Sequence, residues 1–237
     1  MASSKITLFD LASQAPNRSW SLNAWRTRFI LNFKGLDYET EWLEYPDIKP
    51  RLQAHFPEGQ EEFTVPTVRM PDGTYIMNSS KIAQVLEELY PSPSLPPTSP
   101  VQQRYFDTLS PAYDALEPVK FSFVPRRILN EVNYPYWRKT RSENIGKPIS
   151  DAELEQVFKA ASPSLQAVTA MLKENEDGPF FLGATITFTD VIHLGFLVMM
   201  RRIGEDIFRS VLEASGDPEL HLRFLEAVKP WTERDDH

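Results

Sequence analysis

Residues 91–100 read PSPSLPPTSP, and five of the ten are proline. Proline lacks the amide hydrogen that helices and sheets need and fixes its own φ, so no regular element runs through this stretch. It is an extended connector. It divides the 237-residue chain into a candidate domain over 1–92, a linker over 93–100 and a second domain over 101–237.

The two parts carry different periodicities. In the first, KITLFDL reads as a strand, and Leu22, Trp25, Phe29 and Phe33 then recur at helical spacing, with polar Asn23, Arg26, Arg28 and Lys34 on the rest of the wheel. Gly35 stands where a helix C-terminus favours glycine. DYETEWLEY alternates at period two and reads as a second strand, and a short helix follows Pro46. TVPTVRM and YIM flank PDGT, so they form a hairpin turning at Asp72-Gly73. NSSKIAQVLEELY is a capped helix with Ile82, Val85, Leu86 and Leu89 inward. The predicted order is β-α-β-α-β-β-α.

No stretch after residue 100 reads as a strand. Residues 101–132 have helical spacing interrupted by Pro111, Pro118 and Pro125, which predicts a kinked or broken pair of helices. Ser150 and Glu153 make a capping box ahead of a long helix. Thr187 and Asp190 make another ahead of FTDVIHLGFLVMMRRI, which is apolar nearly all round and therefore the central buried helix, with His193 a hydrogen-bonded core residue. Two shorter helices follow, near EDIFRSVLEAS and DPELHLRFLEAV.

Composition removes several function classes. The formal net charge of −8 opposes a nucleic-acid surface, which needs clustered Lys and Arg. With no cysteine there is no disulfide, no thiolate metal ligand and no cysteine nucleophile; no metal is expected. The longest apolar run, VIHLGFLVMM, is half the ~20 residues of a bilayer span, so no membrane association is expected. MASSKITLF lacks a secretory layout, which makes cytoplasm the expected compartment.

Three short motifs permit chemistry. SWSLNAWRTRFILNFKG puts Ser19 and Ser21 at the start of an amphipathic helix, with Ser13 in the preceding loop. Ser21 either caps the helix or serves an anion there, since free amides and the helix dipole favour negative charge. Against a ligand thiol of pKa ~8.5, one charge-assisted hydrogen bond plus a helix N-terminus supplies roughly one to two units of lowering, enough for a thiolate at neutral pH. Asn23 is a further donor. In TVPTV, Pro66 holds Val65 extended, so its backbone can pair with an extended peptide. In NSSKI, Asn78 and Ser79 open a helix and either cap it or bind a carboxylate.

The order of these motifs carries a resemblance. The βαβαββα pattern, Val-Pro ahead of the third strand, the Ser-containing helix start after it and the later GATITFTD resemble the cytosolic glutathione transferases over nearly the whole chain. That implies an α/β thioredoxin-like N-terminal domain followed by an all-α domain. SLNAWRTRFILNFKG resembles more narrowly the fungal-specific class A transferases, relatives of bacterial β-aryl-etherases, with Leu22 in place of their proline. The resemblance implies glutathione as co-substrate, a detoxifying transferase and a homodimer. It makes Ser21 the residue that stabilises the glutathione thiolate, with Asn23 beside it. Val65 and a cis-Pro66 would pair with the cysteinyl part, and Asn78 and Ser79 would hold the γ-glutamyl group. Asn78 departs from the family's Glu/Gln. His55 or Gln53 lies in the region that holds the glycyl carboxylate.

For a hydrophobic second substrate the candidates are Trp20, Tyr113, Phe121 and Phe123, with Tyr134 and Trp137 behind them. In KFSFVPRRILNEVNYPYWRKTR, aromatics including Tyr136 interleave with Arg126, Arg127 and Arg138, which suggests a wall for flat phenolic ligands. The resulting expectation is a serine-type transferase acting on aromatic electrophiles or aryl ethers. The alternative is a weakly catalytic or non-catalytic carrier of aromatic ligands.

Overall fold

The structure is a computed structural model describing residues 5–236. The first four residues, part of the stretch read for a leader, and the last residue lie outside the described residues. Four strands, β1 (Ile6–Leu11), β2 (Tyr38–Leu43), β3 (Thr67–Arg69) and β4 (Tyr75–Met77), form one sheet in the order β2-β1-β3-β4. β1 pairs parallel with β2, Ile6 opposite Tyr38, and antiparallel with β3, Leu8 opposite Val68. All six residues of β1 are buried, as a central strand covered on both faces requires. The β3–β4 hairpin turns at Gly73, whose φ of 90° suits only glycine well.

Three helices complete this domain: α1 (Leu22–Phe33), α2 (Tyr45–Leu52) and α3 (Ser79–Leu89). α1 ends in a Schellman motif, with Gly35 N–H donating to Asn32 and Leu36 N–H to Leu31. Arg28 and Lys34, expected on the solvent side of α1, are buried instead. Lys34 Nζ donates to Glu87 Oε2 at 2.6 Å and to the carbonyls of Tyr90 and Pro93, so α1 grips the start of the proline-rich segment. Leu89, expected inward, is 58% exposed, because α3 stops there and its last turn overhangs the core.

The rest is helical: α4 (Gln102–Ala115), α5 (Glu117–Arg127), α6 (Tyr134–Thr140), α7 (Asp151–Leu172), α8 (Phe188–Ile203), α9 (Glu205–Ala214) and α10 (Pro218–Val228). The expected break falls at Leu116, where Pro118 occupies the first turn of α5. Both capping boxes form. Thirteen of the sixteen residues of α8 are buried, which makes it the central helix. α6 went unrecognised in the sequence because it is only about two turns long, in an aromatic, basic stretch. Among the described residues no helix is long and apolar enough to cross a membrane, and none of them cluster as metal ligands.

Candidate active site

The segment between β1 and α1 is held from below by a buried charged network. Asp10 and Arg28 are both 0% exposed. Arg28 Nη2 donates to Asp10 Oδ2 at 3.0 Å and to Thr40 Oγ1 at 2.9 Å. Ser19 Oγ donates to the same Asp10 oxygen at 2.7 Å, while Leu11 N–H donates to Asp10 Oδ1. Trp25 Nε1 donates to the Ser19 carbonyl at 3.0 Å. A desolvated ion pair is tolerable only when further hydrogen bonds meet most of its remaining valences, as they do here.

The network sorts the three serines. Ser19 is fully buried and its hydroxyl is committed to Asp10. Ser13 stays within its own loop, accepting from Arg18 N–H at 3.0 Å. Ser21 stands at the N-cap of α1 with extended backbone, φ −70° and ψ 127°, and its carbonyl accepts from Trp25 N–H. Its hydroxyl makes no capping bond, and no acidic side chain sits in the first turn to offset the helix's positive end. From the other side α8 presses close: a Cβ on Gly195 would lie 2.6 Å from the Leu22 carbonyl oxygen. The helix start is therefore located by both domains.

Ser21 and Asn23 line a cleft of about 380 Å³ together with Thr64, Val65, Pro66, Asn78 and Ser79. The Val65–Pro66 peptide is cis. Among the described residues no group hydrogen-bonds the backbone N–H or C=O of Val65. Thr67 Oγ1 ties down the Thr64 carbonyl at 2.8 Å, and Asn78 N–H donates to the Pro66 carbonyl at 3.3 Å. One extended residue thus offers an open donor and acceptor on a fixed frame, as strand addition needs. Asn78 has φ 84°, in the region that favours glycine, and its Oδ1 accepts from Ser80 N–H at 2.9 Å and from Lys81 N–H. That cap aims the start of α3, with the buried Ser79, at the same cleft.

The same cleft is also lined by residues that sequence reasoning missed as site residues: Tyr45, Arg141 and Arg26, joined by Tyr136. Arg141 closes the segment read as an aromatic and basic wall. Its guanidinium carbon lies 4.5 Å from the Trp137 ring centroid and 5.0 Å from that of Tyr45, a stacking that fixes a long cation in place. Beyond Asn23 and Arg26 lies a second cleft of about 390 Å³, lined by Leu22, Phe106, Leu109, Tyr113, Ile192 and Phe196. Burial pulls the Arg26 guanidinium below its ordinary value, opposed by Tyr105 and Tyr113.

Of the residues singled out in the sequence, the structure gathers Ser21, Asn23, Val65, Pro66, Asn78 and Ser79 around one cleft and Tyr113 at the other. It does not bring His55 there: that ring lies flat on Tyr75, centroids 3.9 Å apart. Gln53 and His55 sit together in a 3-10 turn after α2, and Gln53 lines neither cleft. Trp20 is 5% exposed with Nε1 donating to Ala12, and Phe123 is buried under Arg127, whose Cζ is 4.2 Å from its centroid. Phe121 lines a separate groove of about 1020 Å³ between α4, α5 and α7. Tyr134 turns its hydroxyl back to the Pro125 carbonyl, Phe123 and Trp137 are buried, and Arg126, Arg127 and Arg138 are exposed, Arg127 pairing with Asp206, so these residues form no single wall.

The family model described as glutathione S-transferase, C-terminal domain, matches residues 101–231, and that of glutathione S-transferase, N-terminal domain, matches residues 20–89. A glutathione S-transferase-like protein of Aspergillus flavus, ustS, is 25% identical over 97% of this chain and 92% of its own length. The crystal structure of a Ceriporiopsis subvermispora glutathione S-transferase in complex with glutathione superposes with a TM-score of 0.82 at 22% identity, covering 99% of this chain and 100% of that one. The glutathione transferase GSTFuA3 of Phanerochaete chrysosporium gives 0.76 at 24% identity, covering 97% and 98%.

Proposed function

Because this chain belongs to the glutathione S-transferase family, we propose that it works by a serine-type mechanism, with glutathione lying along Thr64–Pro66 and its thiolate held at Ser21. The observation that carries this reading is the Ser21 hydroxyl, which stands at a helix N-terminus without being consumed as the cap. It is free to donate to sulfur while the first-turn amides of α1 add positive potential. The open backbone of Val65 receives the cysteinyl amides. Ser79 and the first turn of α3 take the γ-glutamyl carboxylate, and Arg141 is the cation placed for the other carboxylate. The second cleft, apolar and aromatic beside Asn23, takes the aromatic electrophile or aryl ether.

The reaction needs no covalent enzyme intermediate. The protein lowers the thiol pKa and positions the thiolate, and both act on the transition state for attack. Carriage of aromatic ligands without turnover is the competing reading, and the separate groove at Phe121 is the feature in its favour. Thermal melts with and without millimolar glutathione, paired with turnover of 1-chloro-2,4-dinitrobenzene, separate the two. A native-state ligand raises stability by about RT ln(1 + [L]/Kd). The expected result is a glutathione shift in both wild type and Ser21→Ala, with kcat/KM about 10- to 100-fold lower in the variant, the worth of one hydrogen bond to an anion. A glutathione shift with no turnover in either protein would favour the carrier. No shift in either would overturn the glutathione site.

A further inference from the structure

Arg26 and Asn23 line both clefts. Arg26 lies five residues beyond Ser21 on the helix whose N-terminus carries the proposed thiolate site. Its Nε is buried and has no hydrogen-bond partner. The other arginines drawn into this half of the molecule have anions: Arg28 has Asp10 and Arg51 has Glu41. Among the described residues Arg26 has none. What lies near it is aromatic, with Phe106 5.8 Å from its Cζ and Tyr105 and Tyr113 close by. Asp107 borders the second cleft, yet it is exposed and its Oδ1 accepts from Gln103 instead. Arg26 as a whole is half-buried, and a cation partly withdrawn from water without a counter-charge is incompletely compensated. It fits a site whose missing anion arrives with the ligand.

We propose that the second cleft selects aromatic electrophiles that carry a carboxylate, and that Arg26 is the specificity residue that receives it; this rests on the transferase reading above. The guanidinium fork matches a carboxylate in two parallel hydrogen bonds. Phe106, Tyr113 and Phe196 supply flat apolar walls for the ring. In the step itself the glutathione sulfur donates a lone pair to the ring carbon, the C–S bond forms, and the C–Cl electron pair leaves as chloride. The thiol proton has already passed to solvent. Arg26 takes no part in bond making; it orients the ring so that the carbon bearing the leaving group meets the thiolate.

The test uses two substrates with one ring and one leaving group, 4-chloro-3-nitrobenzoate and its methyl ester, each rate normalised to its uncatalysed reaction with glutathione. Wild type is expected to favour the acid. Arg26→Gln should lower the acid-to-ester ratio of kcat/KM about tenfold, the worth of one ion-paired contact, with the loss seated in KM. Arg26→Lys should recover part of it. Both substrates report on the same folded fraction, so a partly unfolded variant leaves the ratio interpretable. Binding of the unreactive 3-nitrobenzoate against its methyl ester, read by thermal shift, gives the same comparison without turnover. An unchanged ratio in Arg26→Gln, or a loss confined to glutathione affinity, overturns the role of Arg26 and leaves the transferase reading intact. Absence of both glutathione binding and ester turnover in wild type overturns that reading, while the unreactive pair still decides between acid and ester.

Discussion

The two domains each bury a polar network, and they solve the problem of burial in opposite ways. The N-terminal domain buries charge: Asp10 and Arg28 hold each other, Ser19, Leu11 N–H and Thr40. The helical domain buries a neutral chain. Tyr105 OH meets His193 Nδ1 at 3.0 Å, His193 Nε2 meets His221 Nδ1 at 3.1 Å, and His221 Nε2 meets Thr169 Oγ1 at 2.9 Å. Thr169 Oγ1 also faces the carbonyls of Leu165 and Ser215, which can only accept, so its single proton goes to one of them. It must therefore accept from His221, which then accepts from His193, which accepts from Tyr105. Both imidazoles are neutral with the proton on Nε2. The charged network sits under the segment that leads into Ser21 and holds it. The neutral one joins α4, α7, α8 and α10 and reaches no cleft where chemistry is proposed.

Breaking the charged network has the largest expected effect. Arg28→Met leaves the Asp10 carboxylate buried without its partner and should cost about 3–5 kcal/mol in denaturant unfolding. The double variant Arg28→Met, Asp10→Leu should regain most of that stability while turnover stays low, because Ser19 loses its acceptor. Full recovery of turnover would show that the network is not needed for aiming.

Acid should break the neutral network selectively. Burial, outweighing the opposing charge of Asp217, pushes His221 down to about 4, and burial with the neighbouring His221 holds His193 well below its usual range. Above the unfolded value near 6.5 neither state binds the proton. As pH falls below it, only the unfolded chain does, so stability drops by about 1.4 kcal/mol per pH unit per histidine down to the folded value. Unfolding free energies measured between pH 7 and 4 should show this slope, and His221→Asn should flatten it.

Gly195→Ala probes where the domains meet. The added methyl has nowhere to go but against the Leu22 carbonyl, so α1 must shift at about 1–3 kcal/mol. The fall in kcat/KM should exceed the fall in stability, since the displaced turn carries Ser21. Smallest is Asn78→Ala, which removes the cap of α3 and leaves alanine at φ 84°. A loss of about 1–2 kcal/mol in thermal stability is expected, together with weaker glutathione binding.

Much of this was legible in the chain. Period-two and period-3.6 patterning, the Asp72-Gly73 turn, both capping boxes and the proline-dense segment are local signals, and local signals survive folding unchanged. They determine the element order and the α/β-then-α division. The places of Ser21, Val65 and Ser79 in the fold were legible for the same reason, since each sits at a helix start or strand entry that its neighbours define. Arg28 looked like a surface residue because nothing nearby in sequence reveals that Asp10, eighteen positions back, will be its partner. Trp20, Phe123 and His55 have the right chemistry for a site, but their aromatic faces were already taken by packing. Arg26 and Arg141 lie inside stretches singled out in the sequence, and Tyr45 beside the predicted second strand, but nothing local marks any of them as facing a cleft. The sequence alone determined most of the segments that become helix or strand, α6 excepted, and the residues that open α1, α3, α7 and α8. Only the tertiary structure decided which side chains share a cleft, which serine keeps a free hydroxyl and which cation lacks an anion, because those are properties of contacts between residues far apart in the chain.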